Sequence, residues 1–174
     1  MARLVIFDKD GVILDLQATW LPVARAVAAH TVTLIPDVGN VMPEITTADL
    51  LHAIGVDDQR GHIDPKGIFA TGSFAQMRAK WQAMLPPQLI DLEHDRAYRD
   101  AVQTIVHEQT RRTTKAKGDV VTPLHALYQD GYQLALVTND SESSARKSLD
   151  DLGIADLFLS LIHISEPRDT MSSR

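Results

Sequence analysis

Residues 3–15 read Arg3-Leu4-Val5-Ile6-Phe7-Asp8-Lys9-Asp10-Gly11-Val12-Ile13-Leu14-Asp15 (RLVIFDKDGVILD). Four apolar residues, Leu4 to Phe7, run straight into Asp8-Lys9-Asp10-Gly11. A short, unbroken apolar run bounded by a turn signal reads as a buried strand of a parallel sheet. In open α/β sheets, ligands bind at the carboxyl ends of such strands. Two carboxylates placed there, two residues apart and followed by a glycine, predict a phosphoryl-transfer site.

A second strand is predicted at Tyr132 to Val137 (YQLALV), with Thr138-Asn139-Asp140 at its carboxyl end. Ser141 to Leu152 reads as the helix that follows, with Asp140 or Ser141 as its cap and Gly153 as its stop. Just before the strand, Pro123 to Gly131 reads as a short helix, proline at the front and glycine past the end.

With both strand ends in view, the chain resembles a known family. DxDGV after a hydrophobic strand, with Asp15 shortly after, is similar to the first motif of the haloacid dehalogenase-like hydrolases, in the phosphatase branch. LVTN at 136–139 resembles the second motif, and Thr122 to Phe158 resembles the family throughout, down to its Leu-Gly-Ile-x-x-x-Phe ending. The resemblance implies an α/β fold: a Rossmann-like parallel sheet, here incomplete, with an inserted α-helical cap. Residues 1–15 and 118–158 would form the core and 16–117 the cap.

The roles follow from that resemblance. Asp8 is the candidate nucleophile, since a carboxylate attacking a phosphate monoester splits one hard displacement into two easier ones. Asp10 is the candidate general acid and base. Gly11 allows close backbone approach, and the turn at Gly11 and Val12 would cradle a phosphoryl group through exposed N–H groups. Thr138 would donate its hydroxyl to a phosphoryl oxygen, helped by Asn139 and the helix N-terminus behind it. Two acids facing an anionic substrate need a hard cation, and Mg²⁺ suits an oxygen-only site. The resemblance implies the Asp8 carboxylate and the Asp10 carbonyl as ligands, with a further acid that the chain does not supply in the expected place. The presence of Asp10 disfavours the dehalogenase and transport-ATPase branches. Phosphoglycolate phosphatase-like hydrolysis of a small phosphorylated metabolite is the leading expectation. The alternatives are a sugar-phosphate mutase and a non-catalytic phosphate-binding or interaction domain.

Composition narrows the rest. The chain has 174 residues, 44% hydrophobic and 23% charged, which suits one globular domain or a small core with an insert. A net charge of −6 argues against nucleic acid as a partner, because a phosphate backbone demands a basic face. The absence of cysteine excludes disulfides, thiol nucleophiles and Cys-based zinc sites. No signal peptide or membrane-length apolar run is read, so a cytoplasmic location is expected. The oligomeric state is left open.

Within the insert, Trp20 to His30 reads as a buried helix with Pro22 in its first turn, and Thr31 to Pro43 as a loop. Thr46 or Thr47 should cap a helix that ends at Gly55, and Gly55 to Gly72 reads as a loop. Ser73 to Leu85 carries a helical apolar stripe, and a longer helix should run from about Leu92 to Arg112, with Ala101, Val102, Ile105 and Val106 inward. Lys115 to Gly118 reads as a hinge, and Arg111, Arg112, Lys115 and Lys117 as a solvated basic helix end, with contact to an anionic substrate as the alternative. His62 with Asp64, near Asp57 and Asp58, fits no zinc spacing and reads as a solvated loop. Trp20 is expected in core packing and Arg25 in a surface ion pair. Arg146 and Lys147 sit too far along their helix to serve the strand ends.

Residues 159–174, LSLIHISEPRDTMSSR, depart from the family pattern, which continues through another strand to a lysine and an acidic motif. Leu159 to Pro167 matches, codon for codon, a forward translation of a transposon-end adapter used in sequencing libraries (CTG TCT CTT ATA CAC ATC TCC GAG CCC). The segment is therefore expected to be a non-native tail on a truncated gene, with little or no activity in these 174 residues. The plainer alternative makes LSLIHIS the next strand.

Overall fold

The computed structural model describes residues 3–36, 44–85, 90–138 and 142–163. Contacts divide the chain into two compact units, Met1–Asp15 with Thr114–Arg174, and Leu16–Thr113.

The first unit is α/β. Three parallel strands, β1 (Arg3–Asp8), β4 (Tyr132–Thr138) and β5 (Phe158–His163), lie in the order β1-β4-β5. The register pairs Arg3 with Tyr132 and runs without a break to Asp8 opposite Val137. Helices α6 (Val121–Gln129) and α7 (Glu142–Asp151) pack on β4 and β5, and their core is built with Leu134, Leu136, Leu124 and Leu149. Val5 and Phe7 join that layer from β1, and Phe7 meets Phe158 edge to face at 6.3 Å.

The pleat sends alternate residues to opposite faces, and the two faces differ. Opposite the helices, Leu4 is 55% exposed and Ile6 54%, with Gln133 and Ser160 also exposed, while the small Ala135 between them is buried. The expectation of a fully buried first strand is thereby corrected: among the described residues β1 is an edge strand with one face covered. Its unbroken apolar run predicts layers on both faces, and among the described residues only one face has a layer over it. Residues 158–163 pair in parallel with β4, with a register shift between Leu134 and Ala135. The pairing takes in Leu159 to His163 of LSLIHIS, whose β-compatible residues fit a strand under either reading of that segment, and residues 164–174 lie outside the described residues.

The chain leaves and re-enters this unit side by side. Asp15 N–H donates to the Lys115 carbonyl at 2.8 Å, Lys117 N–H to the Ile13 carbonyl at 2.9 Å, and Leu14 bridges Ala116 in antiparallel fashion. The expected hinge at Lys115 to Gly118 is thus clipped to residues 13–15 over its first three positions.

The second unit contains α1 (Leu16–Leu34), α2 (Thr47–Ala53), α3 (Ile68–Thr71), α4 (Phe74–Gln82) and α5 (Arg96–Thr113), with a hairpin of β2 (Val56–Asp57) and β3 (His62–Ile63). Helix starts follow the capping rule. Thr46 and Asp49 form a reciprocal capping box, as do Ser73 and Gln76. The Thr46 hydroxyl and then its backbone N–H hold the Asp49 carboxyl below its usual value. Trp81 is fully buried among apolar neighbours and donates Nε1–H to the Leu50 carbonyl at 2.8 Å. Among the described residues no helix is long and apolar enough to cross a membrane.

Three expectations for this unit are corrected. Helix α1 starts at Leu16, which puts Pro22 inside it, and it runs on to Leu34 where a loop was expected. The apolar residues flanking Trp20–His30 outweigh the one donor proline lacks. Helix α5 starts at Arg96, because the Asp95 carboxylate accepts from Ala97 N–H at 2.8 Å and caps the helix there; of its expected inward face, Val102 is fully covered. The Gly55–Gly72 loop holds a hairpin, whose Val56 and Ile63 are buried. Gln17 fastens it, accepting from Ile63 N–H at 2.7 Å and donating to the Ile63 carbonyl at 3.0 Å. Gly55 adopts φ +85°, and a Cβ there would stand 2.7 Å from the Gly67 Cα, so glycine is required.

Candidate active site

Asp8 ends β1 and Thr138 ends β4, the neighbouring parallel strand, so both stand on the carboxyl edge of one sheet. With Asp8 opposite Val137, Thr138 lies one residue further along. Adjacent strands run about 4.8 Å apart. The pleat starts Asp8 on the open face with Ile6, and Thr138 on the helix-covered face with Leu136. A group held by both side chains therefore has to sit over the edge of the sheet, between the two strand ends. Asp8 is exposed, and its Oδ1 accepts the Lys9 N–H at 2.8 Å, which orients the carboxylate. Thr138 is only 4% exposed.

The loop beyond β1 is tightly wound. Gly11 N–H donates to the Leu14 carbonyl at 2.8 Å, and the Lys9 carbonyl accepts from both Ile13 and Leu14. Gly11 takes φ +86°, the left-handed region that favours glycine. Val12, next in the turn, is exposed. Asp8, Asp10, Gly11, Val12 and Thr138 thus belong to one unit, on two adjacent strand ends and the turn after the first. Asn139 lies outside the described residues, as do the cap candidates Asp140 and Ser141.

Two lysines enter that the motif reading did not assign. Lys9 is 1% exposed, and its Nζ meets both carboxylate oxygens of Asp10, at 3.1 and 2.9 Å. A buried ammonium needs such a partner, and the pair fixes the orientation of the Asp10 carboxylate. The signal was in plain sight, a basic residue between two acids. Lys117 donates from Nζ to the Gly11 carbonyl, across 106 residues of sequence. No local pattern announces that contact; it depends on the clip at residues 13–15.

Three residues set aside as bystanders have partners of their own. Arg25 pairs with Asp58 at 2.5 Å, and Trp20 packs edge to face on Phe69. Lys147 pairs with Asp151 one turn along its helix. His62, read as part of a solvated loop, is exposed. Among the described residues no three acids or histidines gather as a metal site. The Asp8 carboxylate and the Asp10 carbonyl are hard oxygen donors suited to Mg²⁺, but they form an incomplete set.

A family model described as haloacid dehalogenase-like hydrolase matches residues 2–170. No curated protein matches the sequence. Among solved structures, the chain is similar to a predicted phosphoglycolate phosphatase from Haemophilus somnus 129pt, at 20% identity and TM-score 0.56, covering 96% of this chain and 65% of that one. It is also similar to a structure described as a putative beta-phosphoglucomutase from Thermotoga maritima, at 19% identity and TM-score 0.52, covering 92% of this chain and 61% of that one. A HAD-superfamily hydrolase of subfamily IA from Geobacter sulfurreducens PCA aligns at 14% identity and TM-score 0.51, covering 97% of this chain and 65% of that one. The chain therefore spans less than two thirds of the length of these structures, and at such identities the likeness is one of fold. From the family match over nearly its whole length, with the parallel sheet and its strand-end acids, the chain belongs to the haloacid dehalogenase-like hydrolases.

Proposed function

We propose that this chain carries the nucleophile half of a Mg²⁺-dependent phosphatase acting on a small phosphomonoester through an aspartyl-phosphate. The observation that supports this most is the placement of Asp8 and Thr138 on neighbouring parallel strand ends. An Asp8 carboxylate oxygen attacks phosphorus while the bond to the leaving oxygen breaks, and Asp10 gives that oxygen its proton. Asp10 then takes a proton from water, whose oxygen attacks the same phosphorus and breaks the bond to Asp8, releasing inorganic phosphate. Thr138 donates its hydroxyl to a phosphoryl oxygen, with Asn139 and the Val12 backbone N–H completing the cradle, the Gly11 N–H being held by the Leu14 carbonyl.

Mg²⁺, when bound to the Asp8 carboxylate and the Asp10 carbonyl, would offset the negative charge of the phosphoryl group. Two donors leave an octahedral ion short of protein ligands, so these 174 residues should bind phosphate but turn a monoester over slowly or not at all. Residues 16–117 take the place of the helical cap in this reading, and 159–174 that of the non-native tail. The site belongs to a protein that works in the cytoplasm.

The test is to incubate the chain with acetyl phosphate and Mg²⁺, then map any phosphoryl adduct by mass spectrometry after borohydride reduction. The reading expects the adduct on Asp8 and its loss in Asp8→Asn. An adduct elsewhere, or robust Mg²⁺-dependent hydrolysis of an aryl phosphate by this chain, would contradict it.

A further inference from the structure

We infer that Lys117 is a phosphate-binding residue of this site, delivered by the segment that re-enters the α/β unit. This rests on the phosphoryl-site reading above and goes beyond it, because no motif supplies that lysine. Asp10 is already matched by Lys9 at 2.9 Å, whereas Asp8 stands exposed and would repel an incoming phosphate. A further cation at the rim of the turn offsets that repulsion.

Lys117 has the placement for it. Its Nζ rests on the carbonyl of Gly11, in the turn that follows the two acids. Its backbone is fixed by the bond from its N–H to the Ile13 carbonyl at 2.9 Å, and by the bridge between Leu14 and Ala116. The root of the side chain is therefore held before any ligand arrives, so little ordering is left to oppose binding. An ammonium has three donors, and the contact with Gly11 uses one. The residue is exposed, and among the described residues no carboxylate stands within ion-pair distance of it. A carbonyl contact leaves its charge unneutralised, so Lys117 offers a full positive charge and open donors to an oxyanion.

The experiment is calorimetric titration of the full chain with inorganic phosphate at low ionic strength. Lys117→Gln should weaken binding by on the order of tenfold, the scale of one charge-assisted hydrogen bond. Lys117→Arg should keep most of the affinity. Asp8→Asn should tighten binding and Thr138→Val should weaken it. If Lys117→Gln binds like the wild type while Thr138→Val is weakened, Lys117 has no part in the site and the inference falls alone. A loss in Lys117→Gln that Lys117→Arg shares in full would assign the Gly11 contact to loop structure, which also overturns it. If neither Asp8→Asn nor Thr138→Val alters binding, the phosphoryl-site reading fails and Lys117 goes with it.

Discussion

Among the described residues the helical unit gathers one large buried core, whereas the α/β unit has a layer over one face of its sheet. In the first, Trp81, Leu50 and Leu51 are all at 0% exposure. In the second, Leu134 and Leu136 are equally buried, yet Leu4 and Ile6 on the opposite face keep more than half their surface. The chemistry-bearing residues belong to the half-covered unit.

The largest effect should come from Trp81→Ala, which empties a fully buried indole position and orphans the Leu50 carbonyl, costing about 3–5 kcal/mol. Tryptophan fluorescence during urea unfolding checks it through Trp20, since both tryptophans of the chain lie in that unit. Next, Leu136→Ala on the covered face should cost about 2–5 kcal/mol, read by far-UV circular dichroism. Thr31→Val should cost about 1–3 kcal/mol, because the Thr31 hydroxyl and the Tyr98 phenol meet at 2.8 Å in the core. The smallest effect belongs to Ile6→Ser, within about 0.5 kcal/mol, since the open face has little to lose. If Ile6→Ser were as costly as Leu136→Ala, the contrast between the two faces would be broken.

Tyr98 sharpens the comparison through pH. Burial pushes its phenol up, against the opposing pull of the Thr31 hydroxyl and the Arg78 charge. A raised folded pKa means the associated stability is fully present below the unfolded value of about 10 and is lost as pH rises through the folded one. Alkaline titration followed by tyrosinate absorbance should show Tyr98 ionising above free tyrosine, together with loss of the helical unit. Ionisation at the ordinary value would contradict its burial.

The sequence was most informative where local pattern and tertiary role coincide. Leu4 to Phe7 followed by DxDG and YQLALV followed by Thr138 mark strand ends directly, and the parallel pairing of β1 with β4 agrees with both. Thr46 and Ser73 were legible as helix starts because a cap is a local hydrogen bond. The hairpin at Val56 and Ile63 was hidden because its strands are two residues each and it is held by Gln17, far off in sequence. Helix α1 was underestimated for a related reason: Pro22 signals a boundary locally, and packing of the surrounding apolar residues overrides it. Exposure of Leu4 and Ile6 was equally illegible, since an apolar strand does not say which layers cover it. Lys117 marks the limit most clearly, for its contact with Gly11 exists only once the two linker segments are paired.

The account stands on one oxyanion held between two strand ends, and a crystal structure of the chain soaked with tungstate and Mg²⁺ tests it most directly. The prediction is an oxyanion over the carboxyl edge of the sheet, in contact with the Asp8 carboxylate side and hydrogen-bonded by the Thr138 hydroxyl. A tungstate bound elsewhere, touching neither the Asp8 carboxylate nor the Thr138 hydroxyl, would contradict it.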